Sequence, residues 1–209
     1  METATAAAAR WRRIGRRLVA ATMAYNGVEA VLAVGAGLAA RSIALVGFGL
    51  DSVIELAAAG VLFWRLGLEE RGAPAEEVER GERRVHRFVG GTFLALAVYV
   101  TAQSAWILWR RAAPEESVLG IVLAIVSLVV MPLVAWGKLR AAREVGSRAL
   151  AAEAKETLAC SYLSAALLAG LAANAALGWW WADPVAALLM VPWLVREGRE
   201  GLTGDPCDH

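Results

Sequence analysis

Long apolar runs alternate with charged stretches along this chain, at roughly 18–40, 42–64, 88–109, 118–137, 153–177 and 179–196. Each run approaches the roughly 20 residues that a helix needs to cross a hydrocarbon core of about 30 Å. Within lipid, a segment must satisfy its own backbone hydrogen bonds, so runs of this kind form helices rather than isolated strands. The pattern predicts an all-α, polytopic membrane protein with six transmembrane helices. It divides into a basic N-terminal arm (1–17), a six-helix transmembrane domain (18–200) and a short tail (201–209).

Charge adds orientation to this picture. Lys and Arg number 21 against 20 Asp and Glu, a net charge of +1. Eighteen of the bases fall in the arm, the connection between spans 2 and 3, the connection between spans 4 and 5, and the segment after span 6; only Arg41, Arg110 and Arg111 fall on the other side. Basic flanks stay inside, which predicts cytoplasmic N- and C-termini in a multi-pass protein of the cell (plasma or inner) membrane. Tryptophans mark both ends of the spans, with Trp64, Trp136 and Trp193 on one side and Trp106, Trp109 and Trp179 to Trp181 on the other. The polar stretch 69–87 reads as a solvated connector.

Composition then narrows the function. A near-neutral chain is not a basic nucleic-acid binder, and no nucleic-acid partner is expected. Two cysteines, Cys160 and Cys207, supply neither a disulfide framework nor a Cys-rich zinc module. No cleaved signal peptide is expected, because the first apolar run continues past Glu29 without a cleavage site. The chain contains no Walker loop, HExxH, GxSxG or CxxC, so neither ATP-driven transport nor hydrolytic chemistry is expected: the protein reads as a non-enzyme with no prosthetic group.

The informative residues are ionisable groups placed where lipid should exclude them, since each costs several kcal/mol near the bilayer centre without a partner. Glu29 falls in span 1, three residues after Asn26. Asp51 and Glu55 fall in the middle of span 2, and Glu156 and Cys160 in the first half of span 5, with Glu153 closer to its cytoplasmic end. The spacing i, i+4 puts Asp51 and Glu55 on one helix face, and Glu156 and Cys160 on one face of another. Two such faces opposed offer three carboxylates and a thiol, a donor set for a divalent cation with a bias toward softer, zinc-like metals. Counting 1.5 Å per residue back from the outer end of span 5 places Cys160 closer than Glu156 to the depth of the span 2 pair. Packing acids that stay protonated and hydrogen-bond the helices together are the competing explanation.

The stretch Asn26 to Glu55, NGVEAVLAVGAGLAARSIALVGFGLDSVIE, resembles the first two spans of the cation diffusion facilitator family, and EAKETLACSYLSAALLAG from Glu153 is similar to its fifth span. Asp183-Pro184 matches a common family sequence at the start of span 6. The resemblance implies metal ligands at Asp51, Glu55, Glu156 and Cys160, with Asn26, Glu29 and Glu153 supporting them or lining a pathway. It implies a homodimer that carries Zn2+ or another divalent transition metal as substrate, with export by proton antiport. The sequence departs from the family in having Glu156 and Cys160 where zinc members carry a His-Asp pair, and it reads as a short branch without the family's cytoplasmic C-terminal domain. The alternatives are a non-transporting metal sensor or accessory subunit, and a channel-like uniporter.

Smaller features are read conservatively. Gly35, Gly37, Gly47, Gly49, Gly90 and Gly91 are expected to serve close helix packing rather than hinges. Pro132 and Pro192 are ordinary membrane-helix prolines. Asn174 and Gln103 are read either as lining a polar path or as interhelical hydrogen-bonding residues, and His86 is read as interfacial. The tail residues Asp205, Cys207, Asp208 and His209 are expected to be a disordered end rather than a metal site.

Overall fold

The computed structural model describes residues 2–70, 75–111 and 115–203. These form six helices: α1 (Glu2–Ala40), α2 (Ile43–Glu70), α3 (Ala75–Arg110), α4 (Val118–Val145), α5 (Arg148–Leu177) and α6 (Ala182–Thr203). No strand occurs among the described residues. The helices run up and down, so the bundle has a basic end, where α1 begins and α6 finishes, and a far end at the α1–α2, α3–α4 and α5–α6 connections. The tail with Asp205, Cys207, Asp208 and His209 lies outside the described residues.

Five helices contain stretches long and apolar enough to cross a membrane: 9–40, 43–65, 90–110, 118–145 and 153–177. The sixth run, 179–196, is where expectation and structure diverge. Helix α6 starts only at Ala182, and its uninterrupted apolar run, 184–195, spans roughly 18 Å before Arg196 and Glu197 interrupt it. The chain is thus a multi-pass membrane protein with five such helices and a shorter-faced sixth.

The expected connector 69–87 is also revised, because α3 begins at Ala75 and carries most of that stretch as helix. Alanine, glutamate and arginine are strong helix formers, and Glu76 and Arg80, like Glu79 and Arg83, stand i, i+4 apart.

Local chemistry sets the breaks. Ser117 caps α4, its Oγ accepting from the Gly120 amide at 3.1 Å. Gly146, at φ 71°, closes α4, and Ser147 immediately caps α5. This left-handed glycine followed by a serine turns the chain through one tight reversal.

Helix α2 is central, packing against α1, α3, α5 and α6, while α1 also packs on α4, α4 on α5, α5 on α6, and α3 on α6. The main core includes Phe48, Leu45, Val100, Met131, Leu163, Leu167 and Met190. A smaller cluster at the basic end joins Val19, Ala59, Leu62, Ala141, Ala142 and Leu150. Several helix contacts require glycine. A Cβ on Gly49 would stand 2.8 Å from the Val34 amide nitrogen, and one on Gly90 would stand 2.8 Å from the Gly198 carbonyl oxygen. Both are below any real Cβ contact, so α1–α2 and α3–α6 meet backbone to backbone, the small-residue packing that membrane helices favour.

The outer surface is apolar where lipid would be. Val28, Val31 and Leu38 of α1 and Val118, Val129, Leu133 and Trp136 of α4 are exposed. At the basic end the Arg140 guanidinium lies 5.3 Å from the Trp11 ring centroid and 5.9 Å from that of Trp136. At the far end Arg110 lies 4.6 Å from Trp106, and Trp179 stacks on Trp181 with centroids 5.1 Å apart. Such contacts suit rings seated at membrane–water boundaries.

Candidate metal centre

The acids of α2 follow from its register. Asp51, Ser52 and Glu55 share the inward side of the helix that packs on α1 and α5, while Val53 between them is exposed. Asp51 is 2 % exposed and Cys160, reaching in from α5, is 1 % exposed. One ligand atom from each of Asp51, Glu55 and Cys160 lies within 4.8 Å of the others. Two carboxylates and a sulfur at that separation match what one divalent cation with metal–oxygen and metal–sulfur bonds of about 2–2.3 Å can draw together.

Helix α1 supplies the surroundings. Asn26 Nδ2 donates to Glu55 Oε2 at 2.9 Å, which orients one carboxylate of the group. Glu29, 2 % exposed, accepts from Tyr25 OH and from Ser52 Oγ, each at 3.0 Å. Glu29 thus faces the residue next to Asp51 but is held by two hydroxyl donors of its own. Asp51 Oδ1 and Asn26 Oδ1 are buried and have no hydrogen-bond partner. Buried polar atoms are almost always paired, so the unpaired Asp51 oxygen within this group of three leaves a place for a donor or cation.

Glu156 stands apart from this group of three. It lines, with Asp51, Glu55 and Glu197, a small cleft walled by Phe93 and Trp193 and large enough for about one water-sized particle. Cys160 joins the α2 pair, and Glu156 lies one turn from it along α5, nearer the basic end. Glu153, one further turn along, joins a different arrangement. The Lys138 ammonium donates to Glu153 Oε1 at 2.6 Å and to Thr157 Oγ1 at 3.0 Å, and Lys138 is fully buried. Glu153 is thus engaged by a fixed cation from α4.

Another acid belongs to the scaffold. Asp183 of α6 accepts from the Ile43 amide at 3.0 Å and the Ala44 amide at 3.4 Å, and from the Ser42 hydroxyl. It therefore caps the N-terminus of α2 while sitting in the first turn of α6, so two helix dipoles favour its charge. This cap sits roughly two and a half turns above Asp51 on the same helix and fixes the start of the element that carries Asp51 and Glu55.

Residues 19–200 match the cation efflux transmembrane domain. The chain belongs to the cation efflux family. It is also similar to an uncharacterized transporter from Synechocystis sp., with 31 % identity over 176 residues, covering 76 % of this chain and 56 % of the relative. The chain thus spans about half the length of that curated relative. For a cation efflux protein, the opposed acidic faces of spans 2 and 5 are the features that the sequence made visible. Glu197, Tyr25, Ser52 and the Lys138–Glu153 pair were not anticipated there. Glu197 lies just past the last apolar residue of span 6, where an acid reads as solvated. Lys138 likewise follows an apolar run and reads as part of a connector. Serine and tyrosine within an apolar run carry no signal of their own.

Proposed function

We propose that the protein is a secondary transporter that exports a divalent transition-metal cation, Zn2+ foremost, in exchange for protons. The observation that carries this reading is the convergence of Asp51, Glu55 and Cys160 around a buried, unpartnered carboxylate oxygen, with the one buried lysine engaged by Glu153. A buried group of anionic donors without a resident countercharge calls for a mobile one. The thiol favours zinc-like metals over magnesium or calcium. Glu156 completes the set as a fourth ligand when α5 shifts along α2, and Asn26 and Glu29 support the group from α1.

Coupling follows from ligand chemistry. Carboxylates and thiols bind a metal as deprotonated groups, so metal entry displaces protons and proton entry displaces metal. Presenting the group first to one side and then to the other turns this exchange into antiport.

In this reading α6 is the sixth span. It is short in apolar length but lies against α3, α5 and α2, with Trp179 to Trp181 at its far end. The basic end faces the cytoplasm and holds both termini, as the distribution of Lys and Arg favours. The protein works as a homodimer in the cell membrane.

Flux of Zn2+, Cd2+, Co2+, Mn2+ and Fe2+ into proteoliposomes carrying a pH gradient tests the proposal. Zinc flux that tracks the gradient supports antiport. Flux indifferent to the gradient replaces it with a channel-like uniporter, and binding without flux replaces it with a sensor or accessory subunit. Zinc transport retained by Cys160→Asp would show that the thiol tunes preference without being required.

A further inference from the structure

Glu197 of α6 lines the same cleft as Asp51, Glu55 and Glu156 but is half-buried and lies in the last two turns of its helix, toward the basic end. The cleft brings together half-buried acids of α6 and α5 and the buried Asp51 of α2. The nearby bases are engaged by other acids. Lys138 is held by Glu153 at 2.6 Å, and Arg196 reaches along the exposed side of α6 to Glu200 at 2.8 Å. Asp51 lines the same cleft, and its Oδ1 is buried without a hydrogen-bond partner. Phe93 and Trp193 leave room beside these acids for about one small particle.

We infer that Glu156 and Glu197 form an outer cation station, which captures a divalent cation from the basic-end aqueous phase and passes it to Asp51, Glu55 and Cys160. This rests on the reading of those three residues as the transport site. Two carboxylates on separate helices hold a dication weakly, through few ligands, which suits a site that must release its ion inward. A cleft lined by charges of one sign also concentrates its counter-ion and speeds capture.

The station is tested by Zn2+ transport kinetics in proteoliposomes for Glu197→Gln, Glu197→Asp and Asp51→Asn. Glu197→Gln keeps side-chain size and removes charge. It is expected to raise the KM for Zn2+ about three- to tenfold with kcat within about twofold, and Glu197→Asp is expected to restore most of the loss. An unchanged KM in Glu197→Gln, or a KM raised equally by Glu197→Asp, overturns the station. Asp51→Asn separates the two ideas: its flux is lost if the transport-site reading holds, whatever Glu197 does, and flux retained in Asp51→Asn overturns that reading instead. A second readout is Zn2+ titration of detergent-solubilised protein carrying Asp51→Asn, Glu55→Gln and Cys160→Ser. Residual weak binding that disappears on adding Glu197→Gln supports the station, and residual binding that survives this change overturns it.

Discussion

Two buried carboxylates near the ends and middle of α2 are treated in opposite ways. Asp183, at the far end, receives two backbone amides and a serine hydroxyl, and its charge faces two helix N-termini. Asp51, at mid-helix, is as deeply buried but leaves Oδ1 unpartnered beside Glu55 and Cys160. Glu153 stands between the two: Lys138 engages Oε1, and Oε2 is buried without a hydrogen-bond partner. Burial alone therefore does not mark a functional acid in a membrane helix. The separating feature is whether the fold itself supplies the compensating donors, because a satisfied acid holds helices together and an unsatisfied one holds something that comes and goes.

This contrast can be broken by experiment. Lys138→Met should have the largest effect on stability, about 3–5 kcal/mol, because it strands the Glu153 carboxylate. Adding Glu153→Gln should recover most of that loss. Chemical denaturation in detergent micelles measures both, and a Lys138→Met protein of unchanged stability would show that the pair is not a structural one. Asp183→Ala should cost about 1–2 kcal/mol by uncapping α2, with faster amide exchange at Ile43 and Ala44 as its local signature. Asp51→Asn should change stability by less than about 1 kcal/mol, since replacing an unpaired charge by a neutral isostere removes a penalty rather than a bond. Destabilisation as large as that of Asp183→Ala would merge the two classes of acid. Smallest of all, Arg140→Gln should lose about 0.5–1 kcal/mol through its contacts with Trp11 and Trp136.

How much of this was legible beforehand depends on the kind of signal. Helix positions in apolar runs were readable because period and length are properties of contiguous residues, and Asp51, Glu55 and Cys160 were readable because an acid or thiol among leucines and alanines has no local explanation. Counting the rise per residue along span 5 also orders Cys160 and Glu156 by depth. The residues that escaped notice sit at the ends of spans. Lys138 and Glu197 follow apolar runs, where a charge has an ordinary explanation in water. Only the extension of α4 to Val145 and of α6 to Thr203 carries them into the bundle. The amino-terminal part of α3 was hidden for the complementary reason: a charge-rich stretch reads as loop unless its helix propensity is weighed against its polarity. Asp183 was visible as part of a family motif, but its partners stand 139 to 141 residues away, beyond anything that spacing along the chain reveals.

The central claim is that Asp51, Glu55 and Cys160 hold the transported ion. Its most direct test is zinc flux in proteoliposomes for Asp51→Asn, compared with wild type at equal protein incorporation and with Asp183→Asn as the scaffold control. The account predicts that Asp51→Asn loses flux by about 100-fold or more while remaining folded, and that Asp183→Asn retains a substantial fraction of it. Wild-type flux in a folded Asp51→Asn protein would contradict the assignment of the site.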